Sequence, residues 1–322
     1  MFSIKIEKRN GFEIYKLADE TSGTYAEIIP ECGAILHAFV VNNNGVPMNI
    51  VDSYTDLQDF KEHVTSKGFL GCKLSPFVCR IKNGEFHFGE GNHKIQKYYD
   101  KKNALHGMVY DRPFQVTEKS ADDLKAAISM RYECRNDDAG YPFNYDCIVT
   151  YELLSENKLS VITEIVNKET GLIPVQDGWH PYFNLGDKID DLQLEFQSKE
   201  MVEFDEELIP TGNLIKYEEF GSLKRFGDTV YDNCFTLNFA ECQPMCVLRN
   251  QKKKIEVEIH PEESYPYLQF YTPDHRNSIA IENISGAPNA FNNGMGFKTL
   301  AAGESATFKT AFKIVLLEQD YE

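Results

Sequence analysis

Residues 145–168 read YDCIVTYELLSENKLSVITEIVNK, and the reading of this stretch decides the fold. Apolar and polar side chains alternate up to Leu154, a polar run follows from Ser155 to Lys158, and the alternation then resumes as far as Asn167. A period of two marks a strand that buries one face, because successive side chains of an extended chain point to opposite sides. Two such runs joined by a polar turn read as a hairpin.

The same unit recurs outward in both directions. FSIKIEKRNGFEIYKL (2–17) reads as strand, turn, strand, with Asn10-Gly11 supplying the positive φ angles of a tight hairpin. AILHAFVVNNNGVPMNIVDSY (34–54) repeats it around NNNG, and IEVEIH (255–260), YLQFYTP (267–273), SIAIEN (278–283) and ATFKTAFKIVLLE (306–318) keep the alternation. A helical pattern is confined to short pieces such as DLQDFKEHV (56–64). The expectation is an all-β chain, a large antiparallel β-sandwich. No linker, low-complexity tract or internal repeat divides it, so residues 1–322 are expected to form a single domain.

Composition narrows the function. With Lys+Arg 33 against Asp+Glu 50 the net charge is −17, which opposes nucleic acid and anionic lipid surfaces as partners. The one basic run, Lys252 to Lys254, reads as a charged hairpin turn. The eight cysteines lack the paired spacing of a zinc motif, so no metal site is expected. The N-terminal stretch MFSIKIEKRNGFEIYKLADE has no hydrophobic core of a signal peptide, and no apolar run approaches the roughly 20 residues of a membrane span. A cytoplasmic protein with reduced thiols and no membrane partner is expected.

Some segments interrupt the alternation with side chains of catalytic type. They are SPFVCRIKNGEF (75–86) with Arg80, NALHGMVYDRPF (103–114) with His106, DGWHPYFNLG (177–186) with His180, YDNCFTL (231–237) with Asp232 and SIAIENISGAPNAFNNG (278–294) with Glu282. Each has a structural alternative: His106 as a turn cap, Arg80 as a stem laid over the core, Asp232 as turn chemistry. Glu282 is the most pointed, because a carboxylate ending a buried strand is costly unless it is paired or functional. His180 precedes Pro181, which biases the histidine to extended geometry and fixes its direction.

In order and content these segments resemble the aldose 1-epimerase (galactose mutarotase) family. CRIKNGEF (79–86) is similar to its Asn-Arg-Ile/Val…Gly-x-Phe segment, NALHG (103–107) to its Asn-x-Leu-His-Gly, and VNKETGLIPVQDGWHPYFNL (166–185) to its His-x-Tyr-Phe-Asn-Leu signature. DDAGYPFNYDCIVTYEL (137–153), YDNCF (231–235), IAIENISGAPNAFN (279–292) and PECGAILHAFVV (30–41) resemble further family segments, so the likeness runs from about Gly33 to the C-terminus.

The resemblance implies a galactose mutarotase-like supersandwich of β-strands and a cofactor-free isomerase that interconverts the α and β anomers of free aldohexoses such as galactose or glucose. It implies Glu282 as base, His180 as acid, His106 assisting at the ring oxygen, and Arg80 and Asp232 holding sugar hydroxyls. The aromatics around His180 are expected to wall the sugar pocket. A small sugar is the expected partner, and the chain is expected to be a monomer or homodimer. Cys79 in place of the family's usual asparagine, with Trp179 and Pro181 on either side of His180, departs from the pattern. Alternatives are a hexose-6-phosphate 1-epimerase, with Arg112, Lys73 and Lys82 as candidate phosphate ligands, and a non-catalytic carbohydrate-binding protein. A glycosidase using Glu282 and Asp232 as a pair leaves both histidines unexplained.

Overall fold

The computed structural model describes residues 1–318, so the last residues of the expected 1–322 unit lie outside the described part. The opening hairpin forms as read, from strands Tyr145–Leu154 and Lys158–Asn167 in antiparallel register with Leu154 opposite Lys158. Its turn uses left-handed φ angles at Glu156 and Asn157, and the Asn10-Gly11 and Asn44-Gly45 turns do the same. The helix also forms, over Leu57–His63, with the Asp56 carboxylate accepting from Asp59 N at 2.8 Å.

The hairpin lies inside a nine-stranded antiparallel sheet. There Lys158–Asn167 pairs with Ser305–Leu316, which in turn pairs with Ile255–Ile259. An eight-stranded sheet packs against it, with Asp232–Thr236, Tyr267–Tyr271, Ile279–Ile284, Gly178–His180 and Cys72–Leu74 as successive neighbours. Ring pairs bridge the two layers: Phe196 to Phe270 at 4.8 Å, Phe312 to Phe183 at 5.3 Å and Tyr151 to Trp179 at 5.7 Å. A five-stranded sheet built from residues 2–49 joins this sandwich, and Tyr151 Oη donates to Ala34 O across the junction at 3.0 Å. The all-β antiparallel sandwich expected from sequence is therefore the observed architecture. Among the described residues no helix is long and apolar enough to cross a membrane.

The eight-stranded sheet sends alternate residues to different destinations. Along Ile279–Ile284, Ile279 and Ile281 enter the main core, whereas Ala280 and Ile284 belong to separate small apolar clusters on the opposite face. Glu282 stands between those two clusters. The outer face of this sheet is the floor of the candidate site.

Candidate active site

Register builds the floor. Gly178 lies opposite Ile284 and Tyr182 opposite Ala280, which brackets His180 and sets it across from Glu282. Glu282 in turn lies opposite Gln269, Gln269 opposite Cys234, and Asp232 opposite Tyr271. A slip of one residue in any of these strands would turn its polar groups into the core. Pro181 separates Gly178–His180 from Tyr182–Phe183, both paired with Ile279–Ile284, and its carbonyl accepts from Ile281 N.

A small three-stranded sheet and the loops beside it build the walls. Leu105 pairs with Arg80, and His106 N donates to Cys79 O at 2.9 Å. Cys79, His106 and Phe69 all carry left-handed φ, at 47°, 61° and 59°. Non-glycine residues held in that region cluster where a fold is shaped around a ligand. Gly107, also at positive φ, passes so close to the chain that an added Cβ would stand 2.4 Å from Ser75 O.

All of the sequence candidates line one cavity of about 190 Å³: Arg80, His106, His180, Asp232 and Glu282. His180 Nε2 lies 3.2 Å from Glu282 Oε1. The His106 ring stands edge-on to His180 at 4.9 Å, and Tyr182 stacks on His180 at 5.1 Å. Arg80 Nη2 lies 3.4 Å from Asp232 Oδ2 and 3.9 Å from Asp100 Oδ2, while Gln269 Nε2 donates to Asp232 Oδ1 at 2.8 Å. Several polar atoms here have no protein partner: Nδ1 of both histidines, Glu282 Oε2 and Gln269 Oε1. Buried polar groups are normally satisfied, and these four atoms give one cavity unused hydrogen-bonding capacity.

Burial governs the electrostatics. It pushes the Glu282 carboxyl well above the usual range, with Asp232 adding to the rise and Arg80 opposing it. It pushes His180 down to about 3, and takes His106 well below its ordinary value with help from His180 and Arg80. Asp232 is raised by burial and held back by Arg80. The His180–Glu282 pair thus sits where neither charge is favoured, and one proton between the two groups leaves one donor and one acceptor.

Two expectations need correction. Of the aromatics around His180 only Tyr182 walls the cavity. Trp179 and Phe183 belong to the main core, because period-two alternation sends them to the face opposite His180 and Tyr182. The candidate phosphate ligands do not gather at the cavity either. Lys73 is fully buried against Asp177, Arg112 lies 3.9 Å from Asp111 and Asp137, and Lys82 lies 3.8 Å from Asp205. Gln269, Tyr271, Asp100, Tyr98 and Phe69 also line the site and were not singled out. Gln269 had a signal, a polar residue inside the apolar run YLQFY; the others had none.

The family profile for aldose 1-epimerases matches residues 15–313. The chain belongs to the aldose 1-epimerase family. An aldose 1-epimerase of Streptococcus thermophilus is 24% identical over 295 residues, covering 86% of this chain and 79% of that one. The uncharacterized protein YihR of Escherichia coli K12 is 27% identical over 248 residues, covering 73% and 76%. In fold, a galactose mutarotase-like protein from Clostridium acetobutylicum superposes with a TM-score of 0.87 at 21% identity, covering 98% of this chain and 99% of the other. The family match begins at residue 15, earlier than the resemblance from about Gly33, and ends at residue 313.

Proposed function

We propose that this epimerase-family chain is a mutarotase for free aldohexoses such as galactose or glucose. The observation that carries the reading is the His180–Glu282 pair, 3.2 Å apart in cross-strand register on the floor of a small cavity. Anomer exchange needs one group to take the C1 hydroxyl proton and another to protonate the ring oxygen as the C1–O5 bond breaks. Glu282 takes the first role and His180 the second, after the proton that burial leaves on the Glu282 carboxyl has passed to the His180 ring across their 3.2 Å contact. The open aldehyde turns about C1–C2 and recloses on its other face, with the two groups exchanging roles.

His106, beside His180, faces the charge that develops at the ring oxygen. Arg80 and Asp232 hold sugar hydroxyls, and Gln269 orients Asp232 through its amide. Tyr182 and Phe69 offer apolar surface to the sugar's C–H face and exclude water. The cavity of about 190 Å³ is below the roughly 300–1,000 Å³ of pockets for larger ligands, which suits a single ring.

Charge favours a neutral sugar over a 6-phosphate. Among the described residues Arg80 is the only lysine or arginine lining the cavity, and it already faces Asp232 and Asp100. Polarimetry of freshly dissolved α-galactose and α-glucose, with and without protein, tests the proposal. Faster relaxation to equilibrium rotation is expected for the free sugars and little effect for their 6-phosphates. No acceleration by folded protein would leave a carbohydrate-binding role in its place.

A further inference from the structure

Cys79, His106 and Glu282 come from distant parts of the chain, yet one donor atom of each lies within 4.8 Å of the other two. All are at least nine-tenths buried, and both Glu282 and His106 carry a polar atom without a partner. Sulfur, imidazole nitrogen and carboxylate oxygen are the donors zinc takes, and three protein ligands with one open position is the arrangement of its reactive sites. Cysteine spacing gave no hint of this, because the cluster forms only when the Cys79 loop and the His106 turn fold over the sheet.

We propose that this pocket is also a zinc site, in which Cys79 thiolate, His106 and Glu282 hold one Zn²⁺ that excludes the sugar. A thiolate and a carboxylate together cancel the dication, so the buried site gains no net charge from these partners. The thiolate selects Zn²⁺ or Cd²⁺ over Mg²⁺ and Ca²⁺. Its proton, and any proton on Glu282, leaves to solvent as the ion enters. Zinc bonds of roughly 2.0–2.3 Å place tetrahedral donors roughly 3.5 Å apart, so the side chains close in by about 1 Å. The ion then occupies the oxygens assigned to the base. An asparagine in place of Cys79, as in the family segment, would supply no thiolate, so the inhibition belongs to chains with a cysteine here.

Full-length protein, reduced and freed of metal with a chelator, is titrated with Cd²⁺ while the ultraviolet thiolate-to-cadmium band is followed; Zn²⁺ is then added as competitor. The expected result is one ion per chain, with a band lost in Cys79→Ser and kept in Cys242→Ser and Cys234→Ser. Affinity is expected to fall by at least about 100-fold in His106→Gln, because loss of a direct ligand costs more than the 10–100-fold of an outer partner. No band, or an unchanged band in Cys79→Ser, overturns the site. Should Cys79→Ser not fold, wild-type affinity in His106→Gln does the same.

The inhibitory half rests on the function proposed above. Mutarotation measured alongside should slow in step with zinc occupancy, and undiminished turnover with the ion bound overturns mutual exclusion. Zinc binding in a chain that never accelerates mutarotation, with or without metal, counts against the epimerase reading and leaves the metal site standing.

Discussion

Two buried acid–base pairs meet where Asp177 of one lies three residues before His180 of the other, and they differ in how fully their atoms are partnered. Lys73 Nζ and Asp177 Oδ2 are 2.5 Å apart with no solvent exposure, and both have further partners. Tyr265 Oη donates to Asp177 at 2.6 Å, and Lys73 Nζ donates to Gly178 O at 3.0 Å while lying over the Trp179 ring. His180 and Glu282 are 3.2 Å apart, and each is left with an unpartnered atom. In the first pair both carboxylate oxygens of Asp177 face a partner, Oδ2 through the Lys73 ion contact and not through a hydrogen bond, so the pair's work is to hold the strand that ends in His180. The second leaves unpartnered atoms beside a cavity.

Glu282→Gln should produce the largest effect if this contrast is right. Turnover is expected to fall by roughly 10²–10⁴-fold, the range of general acid–base groups. The fold should persist and Tm should rise, because a group whose pKa is raised by burial opposes folding when ionised. Polarimetry and calorimetry on one preparation read both quantities, and a fall in Tm would place Glu282 among the structural groups. His180→Asn should be nearly as damaging to turnover.

Lys73→Met should behave in the opposite way. Removing one partner of a fully buried ion pair is expected to destabilise the protein by about 3–5 kcal/mol, measurable by denaturant unfolding. Activity should follow the folded fraction. A variant of normal stability but without turnover would show that Lys73 acts in the chemistry.

The pH dependence of stability sharpens the same contrast. His180 is held near 3 in the folded protein against an ordinary value of 6.5, so its contribution is present above 6.5 and lost as pH falls towards 3. The slope is at most about 1.4 kcal/mol per pH unit. Glu282 runs the other way: its contribution is present below its ordinary 4.5 and lost as pH rises. Tm measured across this range should flatten on the acid side in His180→Asn and on the alkaline side in Glu282→Gln.

Cys79→Asn should give the smallest effect. Asparagine tolerates the left-handed φ of 47° better than cysteine, and a stability change within about 1 kcal/mol is expected by thermal melting. A larger loss would point to packing of the thiol among Leu74, Val78 and Cys234 as the reason a cysteine stands there.

Hairpins, turns and the short helix were legible because each is written in a few adjacent residues. Asn10-Gly11 needed no distant partner to be read. The outer partners of those strands were not legible. Nothing near Ser305–Leu316 says that it lies between Lys158–Asn167 and Ile255–Ile259. Period-two alternation separates Trp179 from His180 but does not say which face is core, and the fold puts the tryptophan on the core side. Arg80, His106, His180, Asp232 and Glu282 could be singled out because their segments carry recognisable order, and the fold brings all five to one cavity. Gln269 and the Cys79 cluster depend on register between strands and loops far apart in sequence, and that register is a property of the folded sheet.

The division between a floor set in the large sheet and walls set partly in connecting segments has an evolutionary consequence. The His180–Glu282 pair is fixed by the register of that sheet, whereas Thr65, Phe69 and Tyr98 line the cavity from segments outside any strand, which tolerate change in length and composition better. On the proposed function, the choice of sugar can be rewritten there while the reacting pair stays constant. A library confined to residues 65–69 and 98 would explore substrates without having to rediscover catalysis.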